Sequence, residues 1–125
     1  MVIGIDMMGG DYAPQQPLLG VDLFLKEPPF GIELHLIGDE AILRKHYVNI
    51  PPAVKFIHAP EVIGMQEPPT RALREKPNSS MSVGFQLLAD GKIDAFISAG
   101  NTGVMMVGVF YTIKAIEGVI RPTIS

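Results

Sequence analysis

Four short apolar runs alternate along the chain with longer segments in which apolar residues recur every three or four positions. The runs are rich in Val, Ile and Phe and are bounded by Gly, Pro, Asp or Ser, which predicts buried β-strands. They cover residues 2–5, 32–37, 54–58 and 94–97. Because most of them are apolar almost throughout, we expect helices to cover both faces of a parallel sheet.

The segments between the runs have helical periodicity. Pro17 is acceptable near the start of the first helix, Asp39 is placed as the cap of the second, and Gly91 follows the end of the third. The fourth is apolar on nearly all sides, which predicts a buried central helix. The predicted helices cover residues 17–26, 39–46, 79–89 and 102–116. Three Pro-Pro pairs, at 28–29, 51–52 and 68–69, are interpreted as loops.

Strands and helices in alternation imply parallel strands joined by right-handed crossovers. We therefore expect an α/β fold with three layers, α/β/α, and a mostly parallel sheet. The 125 residues are about one domain's worth of chain. Residues 117–125 have the pattern of a loop leading into a further strand, so we expect residues 1–125 to be the amino-terminal part of a single α/β catalytic domain. The remainder would complete its sheet.

Composition excludes several classes of function. The chain is 47% hydrophobic and 18% charged, a globular balance, and its net charge of −3 without a basic run argues against a nucleic-acid partner. It has no cysteine, which excludes disulfides and thiolate nucleophiles, and its three histidines lack the spacing of a metal site. The start lacks the basic segment of a signal peptide, and the most apolar stretch, residues 104–113, is shorter than the ~20 residues of a spanning helix. We expect a cytoplasmic protein.

The loop after the first strand is the first candidate site. It contains Asp6, the pair Gly9 and Gly10, and Asp11. Adjacent glycines let backbone N–H groups approach a ligand closely, and the helix start that follows favours anions. The alternative interpretation is a tight turn in which the two aspartates are local caps. The dinucleotide fingerprint G-x-G-x-x-G is absent from this loop.

The second candidate directly follows the fourth strand and opens the buried helix. It comprises Ser98, Gly100, Asn101, Thr102 and Gly103. Glycines, an amide, hydroxyls and a helix amino terminus together are groups that bind phosphate oxygens without net positive charge. A helix cap alone would need only one of these polar side chains, so their crowding favours a binding site.

A third candidate combines cations with a helix start. Arg71, Arg74 and Lys76 precede Ser79 and Ser80. Such a segment could bind phosphate or an acidic partner protein. The alternative is a solvated helix end with an ordinary cap.

These motifs together resemble a known family. The residues that carry the resemblance are Asp6, Met8-Gly9-Gly10-Asp11 and Ala13-Pro14, followed by residues 37–40, 58–59, 79–80, 98–103 and 121–122. They are similar, in order and spacing, to the bacterial phosphate acyltransferases of phospholipid synthesis. Val104 and Thr123 stand where alanine is usual, and Lys76-Pro77 replaces part of a more basic stretch.

The resemblance implies a reaction in which inorganic phosphate attacks a long-chain acyl thioester on acyl carrier protein, giving acyl phosphate and free carrier protein. It implies a fold similar to that of isocitrate dehydrogenase and phosphotransacetylase, and no cofactor. It also implies that the full-length protein is a homodimer that can associate with the membrane surface. The isolated fragment is expected to be inactive.

We hypothesise that Asn101 and Thr102 contact phosphate or the oxyanion. Asp6 and Asp11 would shape the first loop and orient a cation, and the basic pair Arg74 and Lys76 would face phosphate or the carrier protein. Three alternatives stay open: an actin-like sugar or acid kinase, a nucleotide-dependent dehydrogenase, and a non-catalytic module that binds carrier protein. Saturable binding of ATP or NAD would favour the first two.

Overall fold

The computed structural model of the protein describes residues 1–112. The end of the predicted fourth helix, residues 113–116, and the predicted loop and strand at 117–125 lie outside the described residues, as do Arg121 and Pro122. Within the described part of the chain, each helix falls short of the length and apolar character that a membrane span requires.

Four strands and five helices follow one another along the described residues, with two consecutive helices between the third and fourth strands. They are β1 (Val2–Asp6), α1 (Gln15–Lys26), β2 (Glu33–Gly38), α2 (Glu40–His46), β3 (Val54–His58), α3 (Pro69–Glu75), α4 (Ser80–Ala89), β4 (Ala95–Ile97) and α5 (Thr102–Thr112). The strands form one sheet in the order β3-β2-β1-β4, and every pair is parallel. The predicted α/β class with a parallel sheet is confirmed.

Helices α1 and α2 cover one face of the sheet. Ile3 is the register partner of Leu34, which in turn pairs with Val54, so these side chains lie on the same face. Leu18 and Val21 of α1 and Leu43 of α2 belong to the same apolar cluster. The alternation of strand side chains thus fixes which residues these two helices bury.

Helix α4 packs on the opposite face, where Gly4 is paired with Phe96. The Phe96 ring meets Phe85 of α4 edge to face, with centroids 5.4 Å apart. Close approach of the helices depends on two glycines, because an added Cβ at Gly84 would lie 2.3 Å from the Phe96 ring and one at Gly108 of α5 would lie 2.2 Å from Phe85. Helices therefore cover both faces, as the strand composition predicts.

Helix α3 was not predicted, and the interpretation of residues 68–69 as a loop is wrong at Pro69. Pro68 is the extended N-cap residue and Pro69 is the first helical residue. A proline costs nothing at that position because the N–H it lacks has no partner inside the helix. Pro17 is tolerated in the first turn of α1 for the same reason. This helix begins at Gln15, two residues before Pro17. A proline near a helix start marks the first turn, a signal that the sequence prediction uses at Pro17 but not at Pro69.

The glycines of the packed helices give a stability prediction. Gly84→Ala should lower the free energy of unfolding, since overpacking costs about 1–3 kcal/mol and exceeds the helix-propensity gain of about 0.5–1 kcal/mol. Gly20→Ala in α1 is the matched control, because no atom of the described residues lies within 4 Å of its added Cβ. It should leave stability unchanged or raise it. Denaturant unfolding of the complete protein measures both changes, and equal effects would contradict this account of the packing.

Candidate functional site

The first and second candidate segments start side by side. Strands β1 and β4 are adjacent and parallel, with Ile5 opposite Ile97. Their carboxyl ends therefore lie at one edge of the sheet, where ligands of open parallel sheets usually bind. We call residues 7–11 the first turn and residues 98–103 the second turn.

A buried carboxylate joins the two turns. The hydroxyl of Ser98 donates to Oδ2 of Asp6 at 2.7 Å, and the N–H of Met8 donates to Oδ1 at 2.9 Å. The N–H of Gly100 donates in turn to the Ser98 Oγ at 3.0 Å. Asp6 is only 2% exposed. One side chain from β1 thus fixes the beginning of both turns.

The turns also touch through their backbones. A Cβ added at Gly9 would lie 2.3 Å from Oδ2 of Asp6 and 3.0 Å from the Gly100 nitrogen. Gly10 has φ of +95°, and an added Cβ would lie 3.0 Å from the carbonyl oxygen of Ala99. Side chains at these glycines would separate the turns, so the close contact requires their absence.

A cavity of about 470 Å³ opens beside the first turn. Asp6, Gly9, Gly10 and Asp11 line one side of it. Much of the rest is apolar and comes from Ile5, Ala13, Pro17, Met65 and Ile97. Among residues 1–112 the lining contains two carboxylates but no Lys, Arg or His.

The side chain of Asn101 makes three hydrogen bonds within the protein. Its Oδ1 accepts a hydrogen bond from the Val104 N–H at 3.2 Å, which caps α5. Its Nδ2 donates to the carbonyl oxygens of Gly64 at 3.1 Å and Glu67 at 3.0 Å, and the residue is 6% exposed. The next residue, Thr102, is exposed at the first position of α5. Of these two predicted residues, only Thr102 presents its side chain to solvent.

Lys76, like Asn101, binds the segment 62–67. Its Nζ donates to the Val62 carbonyl at 2.8 Å and to Oε2 of Glu67 at 2.7 Å. The Lys76 hydrogen bond is the main reason why the pKa of the Glu67 carboxyl lies below its ordinary value, with a smaller contribution from the Gly64 N–H. Asn101 and Lys76 therefore hold the segment 62–67 from two sides.

The remaining predicted residues lie apart from the cavity. Ser79 is fully buried and caps α4 by accepting from the Ser82 N–H at 3.1 Å, and Ser80 is 2% exposed. Arg74 is exposed and lines a different cavity, of about 630 Å³, between α3, α4 and α5. A Cβ added at Gly103 would meet Pro69 of α3 at 2.6 Å, so Gly103 permits a close helix contact.

The whole chain, residues 1–125, matches the family described as fatty acid synthesis protein. The chain belongs to this family. It is 43% identical to the phosphate acyltransferase of Exiguobacterium sibiricum over 126 residues, covering 100% of the chain and 38% of that protein. It is also 43% identical to the phosphate acyltransferase of Thermoanaerobacterium thermosaccharolyticum, covering 100% of the chain and 37% of that protein. The match to the Streptococcus pneumoniae phosphate acyltransferase is 42%, covering 96% and 36%.

The family resemblance seen in the sequence is confirmed by these matches. The chain spans less than two-fifths of the length of the relatives, since the largest of these shares is 38%. In this member of the fatty acid synthesis family, the carboxyl edge brings together Asp6, Gly9, Gly10, Ser98 and Gly100. Within residues 1–112 no group of three or more His, Cys, Asp or Glu is placed to hold a metal ion.

Sequence inspection missed Met65 and Glu67. Met65 lines the cavity, and Glu67 binds Lys76. Neither lies in a periodic segment or a glycine-rich motif, and nothing in the spacing of the chain links them to the two turns. Only the three-dimensional path of residues 62–67, from β3 towards α3, brings them to the site.

The hydrogen bond between Ser98 and Asp6 gives a second prediction. Ser98→Ala leaves a buried carboxylate oxygen without its hydroxyl donor, which should cost about 1–3 kcal/mol of unfolding free energy. Thr70→Ala, at an exposed position of α3, is the control and should stay within about 0.5 kcal/mol. A double-mutant cycle with Asp6→Ala measures the coupling directly. Additive effects of the two substitutions would show that the side chains do not interact.

The lowered pKa of Glu67 predicts that the stability of the protein depends on pH in the acid range. A carboxyl whose folded pKa lies below its unfolded value of 4.5 contributes stability above that pH and loses it as the pH falls through the folded pKa. The difference in melting temperature between the protein and its Glu67→Gln variant should therefore be full at neutral pH and shrink below about pH 4.5. Thermal melts of the two proteins across this range check the sign. A difference that grows in acid would refute it.

Proposed function

We propose that the complete protein transfers a long-chain acyl group from acyl carrier protein to inorganic phosphate. The products are acyl phosphate and free carrier protein, and the acyl phosphate serves phospholipid synthesis. The relatives' name, phosphate acyltransferase, and the family's description support this reaction. We further propose that the chain is the amino-terminal part of one catalytic domain of the isocitrate dehydrogenase and phosphotransacetylase type, which acts as a homodimer.

The observation that carries the proposal is the meeting of two turns with free backbone donors. Within residues 1–112, the N–H groups of Gly9, Gly10 and Asp11 donate to no protein acceptor, and the same holds for residues 101–103 at the start of α5. Converging N–H groups at a helix start are suited to phosphate oxygens or to a developing oxyanion. The Asp6 carboxylate holds the two sets of donors in a fixed relation.

The chemistry requires little else from side chains. Phosphate is a nucleophile at neutral pH, so its oxygen attacks the thioester carbonyl carbon without a side-chain nucleophile. The tetrahedral intermediate collapses as the carbon–sulfur bond breaks, and the thiolate of the carrier's prosthetic arm leaves and takes up a proton. Catalysis then consists of positioning the two reactants and stabilising the oxyanion.

In our proposal, groups beyond the described residues neutralise the negative charge of phosphate. Among residues 1–112, the cavity lining contributes only Asp6 and Asp11 as charges. In our proposal the exposed Asp11 orients a cationic side chain from the rest of the protein or from the second subunit, and that cation faces phosphate. Arg74, which is exposed and makes no ion pair within residues 1–112, suits contact with the acidic carrier protein.

Thr102 and Asn101 have different proposed roles. Thr102 offers an exposed hydroxyl beside the free N–H groups of α5 and is proposed to contact phosphate directly. The bonds of Asn101 favour positioning of the same helix start, and direct contact of its side chain with phosphate stays a prediction. Loss of Asn101 is expected to lower turnover by about 10²-fold under either role.

The direct test supplies long-chain acyl carrier protein and phosphate to the complete protein and traps acyl phosphate with hydroxylamine. Hydroxamate should form only when both substrates are present. Hydroxamate that does not depend on phosphate would refute the assignment. Saturable binding of ATP or NAD would favour a kinase or a dehydrogenase, and binding of carrier protein without turnover would favour a non-catalytic module.

Two glycines with positive φ provide a matched pair for the site. Gly10 has φ of +95° in the first turn. Gly31 has φ of +80° at a position where an added Cβ meets no atom of residues 1–112 within 4 Å. Gly10→Ala and Gly31→Ala should both lose about 1 kcal/mol or more of stability because of the strained backbone. Only Gly10→Ala should also reduce hydroxamate formation, by about 10²-fold, through misplaced backbone donors. Equal turnover in the two variants would remove the first turn from the site.

A further inference from the structure

The segment 62–67 contributes Met65 to the cavity lining and is held in place by apolar packing and hydrogen bonds. Ile63 is 5% exposed and packs in the apolar cluster of α3, α4 and α5. The polar bonds come from Asn101, which binds the carbonyls of Gly64 and Glu67, and from Lys76, which binds the Val62 carbonyl and the Glu67 carboxylate. A loop with this many attachments keeps a fixed position against the start of α5.

Met65 is the residue that this loop presents to the cavity. It is 39% exposed, and the same lining includes the apolar residues Ala13, Pro17 and Ile97. Ile97 is 56% exposed, so the cavity keeps open apolar surface directly beside the Gly9–Gly10 pair. Apolar walls next to a few converging polar groups are typical of sites for small molecules with a polar end and an apolar remainder.

We propose that this cavity accepts the part of the acyl chain next to the thioester carbonyl, and that Met65 sets how much bulk fits there. The inference rests on the proposed function and adds the place of the acyl group. The free N–H groups of Gly9 and Gly10 face the reacting end in this arrangement, and the apolar side formed by Met65 and Ile97 takes the first carbons of the chain. Asn101 and Lys76 act as positioning residues, because they hold the segment that carries Met65.

The size of Met65 should then decide between a straight chain and one with an extra methyl group beside the carbonyl. One methyl or methylene group in an apolar site changes kcat/KM by about 10–200-fold. In the complete protein, Met65→Ala should raise the ratio of kcat/KM for a 2-methyl-branched acyl carrier protein to that for the straight-chain substrate by about 10-fold. Met65→Trp should lower the same ratio.

Leu23→Ala is the matched control, since Leu23 is 66% exposed on α1 and lines neither cavity. The branched-to-straight ratio of kcat/KM in this variant should equal that of the unaltered protein. An unchanged ratio in Met65→Ala, or an equal change in Leu23→Ala, overturns the proposal. If the arm of the carrier protein occupies the cavity instead, Met65→Ala will change KM for both substrates alike and leave the ratio constant, which also overturns it.

Lys76→Gln separates the positioning role of Lys76 from phosphate binding. If Lys76 holds the loop, the variant should shift the branched-to-straight ratio in the direction of Met65→Ala and leave KM for phosphate unchanged. A raised KM for phosphate with an unchanged ratio would show that Lys76 binds phosphate and would overturn its positioning role. Formation of hydroxamate by the unaltered protein is scored separately, so failure of the reaction itself is distinguishable from failure of this inference.

Discussion

The arrangement of the carboxyl edge depends on one buried carboxylate. Asp6 ends β1, and its two oxygens accept from the Met8 N–H in the first turn and from the Ser98 hydroxyl in the second. Strand pairing alone aligns β1 with β4 but leaves the backbone beyond the strand ends undetermined. Hydrogen bonds to a charged acceptor are stronger than neutral ones, and at 2% exposure the carboxylate has little access to water as a competing partner. The positions of both turns follow from this contact.

A second set of contacts extends the site towards the helices. Asn101 caps α5 and also binds the segment 62–67, so the start of the helix and the wall of the cavity are fixed relative to each other. The first turn supplies backbone donors, α5 supplies more of them, and Met65 supplies an apolar surface beside them. Such a site suits the reaction that we propose, in which the nucleophile is phosphate itself and the protein mainly orients it against an acyl group.

The sequence was sufficient where the signals are local. The sequence predicts the strand ends within one residue. A short run of apolar residues bounded by Gly, Pro, Asp and Ser is typical of a buried strand. Asp39 is predicted as a helix cap, and its side chain accepts the Ala41 N–H. Ser79, predicted as a binding residue, is the cap of α4. A parallel sheet puts the two turns at the same edge, but their adjacency depends on the strand order, in which β4 lies beside β1. Helix α3 was missed because the Pro-Pro pair was interpreted as a loop signal, whereas Pro69 occupies a first helical position.

The rest of the site depends on long-range contacts for which a single sequence has no signal. The amide of Asn101 binds carbonyls 37 and 34 residues earlier in the chain, a distance that no periodicity encodes. The central claim is that the first and second turns bind phosphate together. It is tested most directly by titrating phosphate into the complete protein labelled with ¹⁵N-glycine. The account predicts saturable shifts of the Gly9, Gly10 and Gly103 amide signals with a single affinity, while Gly20 and Gly31 stay still. Saturable phosphate binding that leaves the signals of both turns unmoved would contradict it.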